Sequence, residues 1–167
     1  MEYKTVCFSG HRPEKFPDKG DENSPITGVI KSILYKEIKD CINDGYNCFI
    51  TGLARGVDNW AADIIIELKI KGKDLKFVCV RPYEEYGNDW KGFDKWNLSH
   101  ILEKADDIVT LSKEYTKDCL KKRNIYMVDH SQKLIAIISN YRSGTGQTIR
   151  YAQKKGIEVK EININNF

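Results

Sequence analysis

The chain has 167 residues, 27 of them Lys or Arg and 24 Asp or Glu, a formal net charge of +3 at neutral pH. With 41% hydrophobic and 31% charged residues it has the profile of a globular protein, and the length suits one domain over 1–167. That excludes disorder along the whole chain. No apolar run of about 18 residues is present, so no membrane span is expected. A charge of +3 is too small to imply nucleic acid by itself.

Met1–Thr5 leads straight into a strand-like run, with no basic segment and apolar stretch of a secretory signal. Five cysteines, Cys7, Cys41, Cys48, Cys79 and Cys119, form no CxxC pair. They read as buried, reduced thiols of a cytoplasmic protein.

In chain order, Lys4–Ser9 (KTVCFS) reads as a first strand. Ser24 and Pro25 then supply a cap and an N1 proline for a helix. Its apolar stripe runs through Val29, Ile30, Ile33, Leu34, Ile38, Cys41 and Ile42, and Gly45 stops it. Tyr46–Thr51 is the second strand, and a helix follows over Asn59–Lys71, with Asp58 as its cap and Gly72 as its end. Leu75–Val80 is the third strand, followed by a helix over Trp96–Lys104. Asp106–Leu111, a helix over Asp118–Asp129, Lys133–Ile138, a helix over Thr145–Lys155 and Ile157–Ile162 complete the alternation. The strands are short and rich in Val and Ile, as strands buried on both faces are. The pattern predicts an α/β, Rossmann-like three-layer sandwich: a mostly parallel sheet of about six strands with helices on both faces.

In such sheets ligands bind beyond the carboxyl ends of the strands. Three of the loops there carry chemistry. Ser9-Gly10-His11-Arg12-Pro13 combines a turn glycine with a phosphate-fitting guanidinium and an imidazole able to donate a proton. Thr51-Gly52-Leu53-Ala54-Arg55-Gly56-Val57-Asp58 exposes backbone N–H groups ahead of a helix, a natural anion site. Asp58 there suits a helix cap, a ribose ligand or a hydrogen-bonded brace for a neighbouring loop. Ser143-Gly144-Thr145-Gly146-Gln147-Thr148 opens the last helix and adds hydroxyl donors from Ser143, Thr145 and Thr148. It is a truncated GxGxxG, since position 149 is Ile.

Arg123-Asn124 lies just before the fifth strand, within reach of the same crevice. The stretch from Arg81 holds Tyr83, Tyr86, Trp90, Phe93 and Trp96, suited to stacking on a base, to forming a lid, or to packing under a loop. Glu84 and Glu85 are the acidic pair of this region and candidate general bases. His11, His100 and His130 lack metal-ligand spacing, so no metal is expected. There is no GxSxG and no GxxxxGK[ST].

These motifs, in this order, resemble the SLOG superfamily. Thr51–Asp58 resembles the glycine-rich segment of the DNA-processing protein DprA (Smf). Arg123-Asn124 followed by a strand and Ser143-Gly144-Thr145 is similar to the LOG phosphoribohydrolases. Ser9–Pro13 looks most like the YpsA branch. The resemblance implies a Rossmann-like fold in a bacterial protein with a nucleotide-derived ligand, and a link to cell division or stress control. It places Gly52, Gly56, Gly144 and Thr145 at phosphate or ribose, and Arg123 at the arginine the LOG enzymes use. Their essential glutamate falls here on Thr148, which cannot stabilise an oxocarbenium ion.

The leading expectation is therefore a protein that binds a nucleotide or nucleotide-derived, ADP-ribose-like ligand as sensor, sequestering protein or regulator. The expected ligand contacts are Gly10, His11, Arg12, Gly52, Ala54, Arg55, Gly56, Asp58, Arg81, Tyr83, Arg123, Asn124, Ser143, Gly144, Thr145 and Thr148. No cofactor is expected. A homo-oligomer and a protein partner are expected; membrane and nucleic acid are not. The alternatives are a nucleotide N-glycosidase using Asp58, Glu84 or Glu85, and DprA-like single-stranded DNA binding.

Overall fold

The computed structural model of the protein describes residues 2–167. The elements are β1 (Thr5–Gly10), α1 (Pro25–Asn43), β2 (Cys48–Thr51), α2 (Val57–Ile70), β3 (Lys76–Arg81), α3 (Gly92–Lys104), β4 (Asp107–Thr110), α4 (Cys119–Asp129), β5 (Lys133–Ile138), α5 (Gly144–Lys155) and β6 (Glu158–Asn163). The six strands form one sheet in the order β4-β3-β2-β1-β5-β6. Every pairing is parallel.

The period-two alternation of the strands builds the layers. Val6 and Phe8 of β1 face a cluster with Ile30 and Leu34 of α1, Ala61 and Ile65 of α2, and Ile101 of α3. Cys7, between them, faces the opposite cluster with Met127 and Val128 of α4 and Ile149 and Ala152 of α5. Helices therefore cover both faces, as the alternation predicts. Each wholly buried Phe or Leu contributes roughly 1.5–3 kcal/mol of transfer free energy.

The element ends show what local chemistry decides. Ser24 caps α1 by accepting the Ile26 N–H at 3.3 Å, with Pro25 in the first turn. Gly45, at φ +92°, turns the chain out of that helix. α2 begins earlier than expected: Gly56, at φ +90°, is its N-cap, and Asp58 lies inside its first turn. α3 begins at Gly92 rather than Trp96.

The edges correct a second expectation. β4 and β6 have only one neighbour each and carry exposed residues, so burial on both faces holds for the central four strands alone. The five cysteines are buried and free. Burial pushes the Cys7 and Cys79 thiols up to about 12, which makes them poor nucleophiles. Among the described residues no helix is long and apolar enough to cross a membrane.

Candidate functional site

Chain order reverses between β1 and β5, the topological switch point of the sheet. The register Gly10↔Ile137 brings the carboxyl ends of these strands level. Their loops therefore lie side by side and bound a cavity of about 610 Å³. Backbone and side chains contribute to it from four loops.

The first loop is held by His11. This residue is buried, and its Nε2 accepts the N–H of Ser139 at 2.9 Å and that of Asn140 at 3.3 Å. Burial and nearby Lys15 push the imidazole below its usual range. His11 is thus a neutral acceptor that ties the β1 loop to the β5 loop. With Nε2 occupied as an acceptor, the proton of the neutral ring lies on Nδ1. Gly10 is fixed by packing: a Cβ there falls 2.3 Å from Val57 Cγ2. It lets α2 approach β1.

The second loop wraps two buried side chains of opposite charge. Asp58 and Arg123 are both nearly inaccessible and line the cavity together. Asp58 Oδ2 accepts the Ala54 N–H at 3.3 Å, and Arg123 donates from Nη1 to the Gly52 carbonyl at 3.2 Å. Arg123 also donates from Nε and Nη2 to Asn124 Oδ1. Burial raises the Asp58 carboxyl to about 6, against the opposing pull of Arg123 and of backbone N–H groups. A Cβ at Gly52 meets Arg123 Nε at 2.8 Å and Asp58 Oδ2 at 3.0 Å. Gly52 is therefore a glycine because this pair packs on it. Leu53 beside it has φ +68°, a left-handed conformation unusual for a large side chain, and is fully buried. Gly56 combines φ +90° with the His11 carbonyl 3.0 Å from a Cβ position. Neither Gly52 nor Gly56 lines the cavity; both shape its wall.

The third loop starts α5. Ser143 is the N-cap, accepting the Gly146 N–H at 3.1 Å and donating to the Asn140 carbonyl. Gly144 and Thr145 follow on the cavity wall, at the end of the helix where N–H groups lack intrahelical partners. A Cβ at Gly144 meets nothing within 4 Å, whereas one at Gly146 meets the Tyr141 carbonyl oxygen at 2.0 Å. Thr148 is different. It is buried in α5, its hydroxyl donates to the Gly144 carbonyl at 2.9 Å, and it stands outside the cavity lining.

The fourth wall is aromatic. Tyr86 packs edge-on against Tyr83 at 5.6 Å and against Trp90 at 5.3 Å, and Tyr83 meets Tyr115 at 5.7 Å. All four line the cavity, while Tyr86 and Trp90 also rest on the core. The cluster packing expected of this stretch is present, and the same rings border the cavity. Glu84 and Glu85 are exposed and outside the lining. Arg81 is likewise outside it, with Nε donating to Thr110 Oγ1 at 3.2 Å.

The cavity thus gathers Gly10, His11, Arg12, Ala54, Arg55, Asp58, Tyr83, Arg123, Asn124, Ser143, Gly144 and Thr145 from the expected set. It adds Lys15, Asp89 and Arg142, which no motif marked. Five cations, Arg12, Lys15, Arg55, Arg123 and Arg142, face two carboxylates, Asp58 and Asp89. The field inside favours an anion. Arg142 was findable, since it directly precedes the Ser143-Gly144 pair. Lys15 and Tyr115 arrive by tertiary placement alone.

Fold and site together define an α/β protein of Rossmann-like class with a cationic crevice at its switch point. Residues 6–166 match the family model for YpsA, described as the YspA SLOG family, and the chain belongs to that family. It is 27% identical over 159 residues to a UPF0398 protein of Bacillus cereus (strain G9842), covering 94% of this chain and 86% of that protein. A UPF0398 protein of Bacillus thuringiensis (strain Al Hakam) is 26% identical with the same coverage. Among solved structures, DNA processing protein A from Helicobacter pylori, described for its single-stranded DNA binding mode, superposes with a TM-score of 0.66 at 18% identity. That match covers 98% of this chain and 70% of the other. DprA from Streptococcus pneumoniae gives 0.63 at 19% identity, covering 95% and 50%. At these identities the likeness is one of fold.

Proposed function

We propose that this protein binds a nucleotide-derived anion of ADP-ribose-like chemistry in the switch-point cavity, and acts as a sensor, sequestering protein or regulator. The observation that carries the reading is the composition of one cavity. Four arginines and the start of α5 line the same cavity as Tyr83, Tyr86, Tyr115 and Trp90. Phosphate fits the first set and a base fits the second. A volume of about 610 Å³ suits a ligand of that size. Membership of a SLOG family supports the same ligand class.

The test is a thermal-shift series with ADP-ribose, AMP, ATP, inorganic pyrophosphate and adenosine. A ligand at 100 times its Kd adds about 2.7 kcal/mol of stability. The expected result is stabilisation by the phosphate-bearing compounds and less by adenosine. No stabilisation by any of them overturns the reading.

A second reading, nucleotide N-glycosidase, is favoured by one observation. Asp58 is a buried carboxyl in the cavity wall with its pKa raised to about 6. Incubation with AMP distinguishes the two. Stoichiometric release of adenine, lost in Asp58→Asn, would make the protein an enzyme.

A further inference from the structure

The two helical layers differ in what they show to solvent. Among the described residues, α4 and α5 leave one large apolar side chain exposed, Leu120. The other layer, α1 to α3, leaves five: Val29, Tyr35, Ile70, Phe93 and Trp96. Single exposed apolar residues are ordinary, but aromatic residues gathered on one face mark a contact surface.

A ridge and a groove lie next to each other there. The ridge is on α3. Phe93 and Trp96, one turn apart, are 66% and 61% exposed. Their ring centroids are 5.9 Å apart, and His100 stacks on Trp96 at 5.2 Å, so the rings brace one another in the open. The groove, of about 390 Å³, runs between α1 and α2 and takes its apolar lining from Tyr35, Trp60 and Ile64. Phe93 borders a further hollow together with Lys31, Trp60 and Asp63, which also line the groove, so ridge and groove are neighbours. None of these side chains lines the switch-point cavity.

The charges are complementary. In the groove, Lys31 is paired with Glu22 and Glu67 with Lys71, which leaves the Asp63 carboxylate without an ion pair among the described residues. Lys91, Asp94 and Lys95 beside the ridge are exposed and form no ion pair among the described residues, a net single positive charge. One face thus carries a convex aromatic feature with a free cation and a concave apolar feature with a free anion. That is the requirement of a two-fold contact, in which each copy offers the same patch and every contact occurs twice. We propose that the α1–α3 face is a self-association surface: Phe93 and Trp96 of one copy enter the α1–α2 groove of a second copy, whose own ridge enters the first. A second copy fits this face because the face supplies both halves of the contact. The inference goes beyond the ligand reading and does not depend on it.

The experiment is sedimentation velocity of the whole chain over roughly 1–300 µM. Dimers are expected within that range and no larger species, because a two-fold contact closes on itself. Trp96→Glu carries a negative charge into the groove, and Tyr35→Lys sets a positive one against the ridge. Each alone should raise the dimer Kd by roughly tenfold or more. An equimolar mixture of the two variants should associate severalfold more tightly than either alone. Its mixed dimer keeps one native ridge-in-groove contact and pairs the two new charges in the other. The proposal is overturned if the parent stays monomeric up to about 300 µM, if the dimer ignores both substitutions, or if the mixture is no tighter than the separate variants. Phe93→Glu takes the place of Trp96→Glu in the same mixture if the latter does not fold, since Phe93 is the more exposed ring of the ridge.

Discussion

Asp58→Asn is expected to gain stability relative to the parent as the pH rises out of the acidic range. The carboxyl is buried, and its pKa stands at about 6 in the fold against an ordinary 3.8. At about 1.36 kcal/mol per unit, that displacement corresponds to roughly 3 kcal/mol between the two protonation states. Below about pH 3.8 both the folded and the unfolded chain hold this proton. Between about 3.8 and 6 only the folded chain holds it, so the parent's stability falls as the pH rises through this window. Above about 6 the whole cost is present, already reduced by Arg123 and the Ala54 N–H. Asparagine keeps the shape and never ionises. Urea unfolding of parent and variant, followed by tryptophan fluorescence from about pH 4 to 8, isolates the group. The gap between them should shift in the variant's favour by up to about 3 kcal/mol over that range. Leaving the Arg123 guanidinium without its counter-charge moves the whole curve down but does not remove its slope. A gap constant with pH would refute the burial of an ionisable Asp58 as described.

Three further outcomes follow from the same geometry. Arg123→Ala should weaken AMP or ADP-ribose by roughly 1.5–3 kcal/mol and adenosine far less, by calorimetry; equal losses would make Arg123 a brace for Gly52 and nothing more. Gly144→Asp should fold with an unchanged melting temperature, because its side chain starts in open space, yet lose phosphate-bearing ligands through charge at the start of α5. Gly146→Ala, two residues on, should cost about 1–3 kcal/mol or more in urea unfolding, since its Cβ collides with the Tyr141 carbonyl; a neutral result would contradict that packing.

The elements were legible in the sequence because they rest on local chemistry. Two-residue and 3.6-residue periods, Ser24-Pro25 at the start of α1 and Gly156 at the end of α5 each act within a few residues. The glycine-rich loops were legible for the same reason, as was the strand–helix alternation that forces a parallel sheet. Strand order was not, and it decides which loops meet. Only the β1–β5 pairing brings His11 to Ser139, across 128 positions of chain. That contact makes Nε2 of His11 an acceptor that braces two loops. The same limit applies to Gly52, whose lack of a side chain answers to Arg123, 71 positions away. Thr148 shows the converse. It stands where the family's carboxylate falls in the sequence, but in α5 it is buried one turn past Gly144, with its hydroxyl on that residue's carbonyl and outside the cavity lining. Local residue pattern specifies elements and caps; which side chains share one cavity depends on what strand order brings beside them.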